Sequence, residues 1–402
     1  MTSTAEIIEL SKKYLLNTYN RLPMAPVKGR GCWLWDAEGK KYLDFFSGIA
    51  VCNLGHSDPR VLRAIAVQAG KLLHTSNVFY LDHQAELAQW LVEHSFADKV
   101  FFCNSGAEAN EGAVKLARKY ARKILGQDRY EVITMNRSFH GRTLGMISAT
   151  GQEKVQKGFE PLLPGFRYAD FGDLSSLEKI LSPQTIAIMV EPVQGEGGVR
   201  LPSPDYFKGL RDLCHRHKLL LIYDEVQVGI GRTGKMFAYE HSGIAPDIMT
   251  LAKALGNGLP IGALLARDFV ASAFLPGDHA STFGGNPFVT AVALEVVKAV
   301  SGEALPNVGE ISPYLERLLR QLPGDYSIVQ EVRGVGLLWG IDLTCEARPF
   351  VERCLKKGLL INAVGSQTIR MAPSLLIRKK EIDFGIKILK EALNEEGSQK
   401  PL

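Results

Sequence analysis

Leu219-Leu-Leu-Ile-Tyr-Asp-Glu-Val-Gln227 is the stretch on which the fold turns. Leu219–Tyr223 is apolar without alternation, and the run ends abruptly in two acids. Such a run reads as a short strand buried on both faces, as in a parallel sheet. A helical segment, Ser203–His217, precedes it. Val100–Cys103, Val132–Thr134 and Ala187–Val190 are similar short runs, and Ala107–Ala121 has helical character. Repeated strand–helix units predict an α/β fold with a mainly parallel sheet covered on both faces. Ligands of such sheets collect at the carboxyl ends of the strands. Asp224 stands at one of those ends.

Outward from this centre, residues 1–22 read as a helical arm. Cys32–Trp35 and Lys41–Phe45 flank Asp36-Ala-Glu-Gly39 and predict a hairpin. Asp58-Pro59 opens a helix, carried on by Val61, Leu62, Ile65 and Ala66. Composition shifts near Ser301-Gly302. Beyond it we expect a helix at Tyr314–Leu322, strands at Val329–Val332 and Gly336–Leu343, a helix at Pro349–Lys357, and short strands near Leu359–Asn362 and Thr368–Met371. The polar tail after Glu395 is expected to fray. The organisation predicted is an N-terminal segment (1–58) packing with a small domain, a large domain (59–300), and a smaller α+β domain (301–402).

Bulk properties narrow the function. The 402 residues are 46% hydrophobic, enough for a large core, and the net charge of +4 is dispersed. No basic block argues for nucleic acid. The six cysteines form no C-x-x-C pair, so neither a zinc knuckle nor a disulfide framework is expected, and no metal is. The N-terminus lacks a basic stretch followed by an apolar core, and no apolar run is long enough to span a bilayer. A soluble, cytoplasmic enzyme of small molecules is the expectation.

Three segments carry chemistry. Asp224, at a buried strand end, needs a partner. It is either a structural ion pair or cap, or a carboxylate bonded to a cofactor nitrogen. Lys253 lies in Pro246-Asp-Ile-Met-Thr-Leu-Ala-Lys-Ala-Leu-Gly-Asn-Gly-Leu-Pro260. Desolvation there would lower its pKa and favour Schiff-base chemistry, although a lysine at a strand end commonly snorkels to water. Phe101-Phe-Cys-Asn-Ser-Gly-Ala-Glu-Ala-Asn110 runs from strand to helix. Free N–H groups at Ser105, Gly106 and Ala107 suit a phosphate, or simply mark a capped helix start. Neither a P-loop nor a G-x-G-x-x-G is present, which disfavours a nicotinamide-dependent oxidoreductase.

Together these segments resemble the class III aminotransferases of pyridoxal-phosphate fold type I, from about Pro26 to Ser374. The resemblance rests on Asn104-Ser-Gly-Ala-Glu-Ala-Asn110, Phe139-His-Gly-Arg142, Glu191-Pro-Val-Gln-Gly-Glu-Gly-Gly198, Asp224-Glu-Val-Gln227, Ala252-Lys-Ala-Leu255 and Ser281-Thr-Phe-Gly-Gly-Asn286, in the family's order. Within the class the chain is most similar to the acetylornithine aminotransferases. That implies transfer of the ω-amino group of N2-acetyl-L-ornithine to 2-oxoglutarate, in arginine biosynthesis. Neighbouring activities are those on N-succinyl-diaminopimelate, ornithine, 4-aminobutyrate or acyl-lysine. Another reading is a pyridoxal-phosphate-binding regulator without catalysis, which Lys253, Asp224 and Arg142 disfavour.

The resemblance implies pyridoxal 5'-phosphate as cofactor, bonded by Lys253, which also shuttles the proton. Asp224 would keep the ring nitrogen protonated, Gln227 would bond the phenolic oxygen, and Phe139 would stack on the ring. Ser105, Gly106 and Ala107 would hold the phosphate. Thr282 would reach a phosphate across a homodimer interface. Arg142, Glu196, Arg370 and Ser281 would bind substrate, with Glu196 as the removable partner of Arg370. His140 is expected to be a satisfied structural histidine. Glu191, Glu225, Arg232 and Arg333 are expected to be supporting residues. Ornithine aminotransferases generally carry Tyr where this chain has Ile49, which points to an acylated donor. Asn257 and Phe283 depart from the family's usual Gly and Tyr.

Overall fold

A computed structural model describes residues 3–397. Its centre is a seven-stranded sheet. In spatial order the strands are Lys99–Cys103, Gly262–Ala266, Ile248–Leu251, Leu220–Asp224, Thr185–Val190, Glu131–Met135 and Phe166–Ala169. Gly262–Ala266 runs antiparallel to both of its neighbours, and the other pairings are parallel. The expected mainly parallel α/β sheet is present.

Strand periodicity sorts the side chains of Leu220–Asp224 between two faces. Leu220 and Ile222 pack with Val114 and Ala117 of the helix Gly106–Lys123. Leu221 and Tyr223 pack with Leu210, Leu213 and Cys214 of the helix Tyr206–His217. Asp224 continues the alternation onto the first face. Its side chain therefore meets the helix Gly106–Lys123, at Asn110.

Two four-stranded sheets flank this core. Val329–Val335, Leu338–Leu343, Thr368–Met371 and Asn362–Val364 form one. In the other, Pro26–Arg30, Trp33–Asp36 and Lys41–Asp44 form the expected hairpin and its neighbour, and Lys41–Asp44 pairs in parallel with Leu359–Leu360. Chain beginning and chain end thus share a sheet.

Some expectations need correction. The N-terminal helix covers only Thr4–Tyr14, capped by a Ser3–Glu6 box, and Leu15 is already extended. Asn17, Asn20 and Pro23 are poor helix formers, so the arm does not continue to residue 22. The composition shift at Ser301-Gly302 falls within continuous helical structure. Pro287–Ala299 runs through a π-helical turn, Val300–Ala304, into Leu305–Arg320. The wide turn falls where Pro306 lacks the N–H that an α-helix would direct to the carbonyl of Gly302. A final helix, Lys379–Gly397, extends past Glu395, and the rest of the tail lies outside the described residues.

Candidate active site

Lys253 follows the strand Ile248–Leu251 by two residues and adopts φ = 44°, a left-handed conformation costly for any residue with a side chain. Its backbone opens a 3₁₀ turn, in which Gly256 N–H donates to the carbonyl of Lys253 (3.1 Å). The turn directs the lysine into a cavity of about 450 Å³. Burial pushes the ammonium's pKa down, and the neighbouring Arg370 adds to this against the opposing pull of Glu196 and Asp224. The lysine is desolvated, not snorkelled to water.

Asp224 ends the adjacent strand and pairs in register with Thr250. Its Oδ2 accepts from Asn110 Nδ2 (2.7 Å) and pairs with His140 Nδ1 (2.8 Å). Val226 N–H donates to Oδ1 at 3.0 Å. Thr250 Oγ1 donates in turn to Asn110 Oδ1 (2.6 Å), fixing which way that amide faces. His140 is therefore a direct partner of Asp224. Its Nε2 is buried with no hydrogen-bond partner among the described residues.

Ser105, Gly106 and Ala107 line the same cavity at the start of an 18-residue helix. Ser105 caps it, with Oγ accepting from Glu108 N–H (3.1 Å). A Cβ on Gly106 would stand 2.6 Å from the Val226 side chain, so the strand-to-helix turn admits only glycine. Ser281 is tied to this corner through Asn104, whose Nδ2 donates to its Oγ (3.1 Å). Phe139 and Arg142 line the cavity together, the guanidinium 5.4 Å from the ring centroid.

At the other end, Arg370 lies on the strand Thr368–Met371 and is only 2% exposed. Its Nη1 donates to Glu196 Oε1 (2.5 Å) and Gln227 Oε1 (3.1 Å), and its Nε to Asn362 Oδ1 (3.2 Å). Its Nη2 has no partner among the described residues. Burial alone would raise the pKa of the Glu196 carboxyl, but Arg370 and Lys253 outweigh it and hold it below the ordinary value. Gln227 is shared between the pair, since its Nε2 also donates to Glu196 Oε1 (3.2 Å). A Cβ on Gly195 would collide with that amide at 1.7 Å.

Supporting residues behave differently from one another. Glu191 lines the cavity and accepts from Phe139 N–H (3.2 Å), and burial together with Asp224 raises its pKa well above the ordinary value. Burial pushes Glu225 up to about 8, against two backbone N–H donors from Ala238 and Tyr239. Arg333 bonds the carbonyl of Gly198 and the carboxylate of Asp342. Arg232, without a carboxylate partner among the described residues, donates to the carbonyls of Leu337 and Pro373. Thr282 is exposed and outside the cavity lining, and Phe283 is 60% exposed beside His74.

Sequence reasoning gave no role to Asn110 or Thr250. The signal for Asn110 was available: it sits on the buried stripe of its helix among Ala109, Ala113, Val114 and Ala117, where an amide needs a partner.

The arrangement is a buried amine between a helix N-terminus, a hydrogen-bonded carboxylate and a buried ion pair. Those groups fit a phosphorylated, carbonyl-bearing heterocycle. Over residues 14–393 the chain matches the family model described as Aminotransferase class-III. It is 50% identical to the acetylornithine aminotransferase of Caldanaerobacter subterraneus subsp. tengcongensis, over 97% of this chain and 99% of that protein. Among solved structures, the acetylornithine aminotransferase of Elizabethkingia anophelis superposes with a TM-score of 0.88 at 34% identity, covering 98% of this chain and 100% of that one. The ornithine aminotransferase of Toxoplasma gondii, described with PLP partly occupying its active site, superposes at 0.95 with 32% identity, covering 99% and 97%.

Proposed function

The chain belongs to the class III aminotransferases, and on that premise we propose that it moves the ω-amino group of N2-acetyl-L-ornithine to 2-oxoglutarate. The products are N-acetylglutamate 5-semialdehyde and glutamate, a step of arginine biosynthesis. The class is dependent on pyridoxal 5'-phosphate. One observation carries the reading: a desolvated Lys253 shares a cavity with Asp224 and with Glu196, the ion-pair partner of Arg370.

When bound, the cofactor supplies a carbonyl for amines and a ring that draws electrons from the reacting carbon. Ser105, Gly106 and Ala107 hold its phosphate with their N–H groups and the helix dipole. Phe139 packs on the ring face, and Gln227 bonds the phenolic oxygen. Asp224 holds a proton on the ring nitrogen, and Asn110, His140 and Val226 keep its carboxylate in place. Lys253 would bond the cofactor at rest. Once the donor's amine takes its place there, the freed Nζ would take the proton from the carbon bearing the transferred amine and return it one position away.

Substrate selection falls to the other end. Arg142 binds the donor's distant carboxylate, with Ser281 beside the entrance. Arg370 binds the carboxylate next to the reacting carbon of glutamate or 2-oxoglutarate. While an ω-amine donor occupies the site, Glu196 neutralises Arg370, because an unpaired buried guanidinium is costly. Gly195 and Gly197 give the Glu196 backbone room to move away. Ile49 offers no polar group to a free α-amino end, which favours the acylated donor.

Thr282 serves the partner's phosphate in a homodimer. Leu72, Leu73, Val78, Phe79 and Tyr80 form exposed apolar surface beside it, and Asn77 bonds the carbonyls of Ser281 and Gly284. Exposed apolar side chains clustered in this way support a protein interface there. The division at 58/59 and 300/301 and a cytoplasmic location belong to the same reading. No helix among the described residues is long and apolar enough to cross a membrane.

Initial rates of glutamate formation with a panel of amino donors test the reading. Acetylornithine should exceed ornithine and 4-aminobutyrate in kcat/KM by about tenfold or more. A preference for a free α-amino donor would overturn it.

A further inference from the structure

Asn257 has φ = 43° and is 8% exposed, four residues beyond Lys253. A left-handed position is one that glycine fills without penalty, so an asparagine there calls for a reason beyond backbone shape. Its side chain supplies one. Oδ1 accepts from Leu54 N–H (2.8 Å), and Nδ2 donates to the carbonyl of Gly55 (3.2 Å). Both groups belong to a buried loop some 200 residues away in sequence.

That loop is unusual in itself. Ser47, Gly48, Ile49 and Ala50 all have φ between 48° and 67°, a single left-handed turn. Asp44 Oδ1 accepts from Phe46 and Ser47 N–H, both at 2.8 Å, and His56 Nε2 holds Asp44 Oδ2 at 2.7 Å. The turn delivers Val51 to the cavity wall. The segment Gly258–Ile261, directly after Asn257, forms another part of that wall. Asn257 is the side chain that bonds the two walls together.

We propose that Asn257 is a positioning residue that sets the spacing between the lysine-bearing turn and the Ser47–Asp58 loop, and thereby the space available to the acylated tail of the donor. The last clause rests on the function proposed above; the spacing itself does not. Asn257 touches no reacting atom. Its loss should affect the longest substrate most and the proton transfer at Lys253 least.

Asn257→Gly keeps the φ that the backbone needs and removes both hydrogen bonds, so it should fold. Deuterium exchange at the Leu54 amide should lose protection. KM for acetylornithine should rise about fivefold, the equivalent of one hydrogen bond, with kcat and the KM for glutamate each within about twofold. Asn257→Asp, which retains an acceptor for Leu54 but no donor for Gly55, should fall between. Unchanged Leu54 protection, or equal changes for acetylornithine and glutamate, would overturn the proposal. If the wild-type enzyme prefers another ω-amine, the function proposed above fails, and Asn257 is judged on that amine's KM against glutamate's.

Discussion

The two ends of the cavity are built on opposite plans. At Asp224 every contact points one way: three donors reach one carboxylate, and one of them, Asn110, is itself oriented by Thr250. At Arg370 the plan is looser. Glu196 and Gln227 share one guanidinium nitrogen, another has no partner, and two glycines flank Glu196. A fully satisfied polar network fixes a charge in space, whereas a partly satisfied one leaves alternatives close in energy. The difference teaches that one end of the cavity holds its charge in a single arrangement while the other leaves its ion pair fewer constraints, which is what the function proposed above requires of each.

That contrast can be broken at four places. Lys253→Ala should remove turnover by more than about a thousandfold, because no other described group in the cavity can replace its acid–base role. Near-normal turnover, with borohydride trapping the cofactor on another lysine, would dissolve the Asp224 end altogether. Asp224→Asn should still bind cofactor but react about a hundredfold more slowly. A variant within a few-fold of wild type would make the Asn110–His140 network scaffolding only.

Glu196→Ala tests the looser end. Freed from its counter-ion, Arg370 should favour glutamate over acetylornithine by about tenfold in single-turnover rates. Equal changes in both half-reactions would mean a fixed salt bridge. The smallest effect concerns His56, which anchors the substrate-side loop through Asp44. Burial lowers its pKa, but the bonds to Asp44 and Cys52 outweigh this and hold it up to about 10, above the ordinary 6.5. Its folded-state proton therefore stabilises the protein fully below about pH 6.5, and this is lost as pH rises through about 10. Wild type should lose about 2 °C more in Tm than His56→Ala between those limits. Parallel Tm profiles would remove His56 from the account.

Legibility followed the same division. The buried strands of the sheet announced themselves as unbroken apolar runs, and Leu219–Tyr223 and Ala187–Val190 matched to within two residues. Ile248–Leu251, Phe166–Ala169 and Gly262–Ala266 were not read as strands. The small residues Gly262, Ala263 and Ala266 dilute the apolar signal in Gly262–Ala266. The final helix Lys379–Gly397 was missed because lysines and glutamates interrupt its apolar stripe. In the site, the residues assigned by motif converge on or beside the cavity, apart from Thr282, which faces outward. Invisible in sequence were contacts between distant segments: His140 on Asp224, Gln227 between Glu196 and Arg370, and Asn257 on Leu54. A side chain's chemical type is local, but its partner is set by tertiary packing.

The π-helical turn at Val300–Ala304 has a consequence for how this family's length can vary. The helix through it runs 34 residues, and Val308, Ile311, Leu315 and Leu319 of its second half face the core. Each residue added or removed inside a helix rotates everything beyond it by about 100°. A one-residue deletion beyond the wide turn, at Gly309–Glu310, would turn Ile311, Leu315 and Leu319 toward solvent, whereas one at Ser301–Glu303 lets the wide turn close to an ordinary α-turn and leaves the stripe in place. Single-residue gaps in natural relatives should therefore fall at the turn and not in the helix beyond it, where the buried stripe fixes the phase.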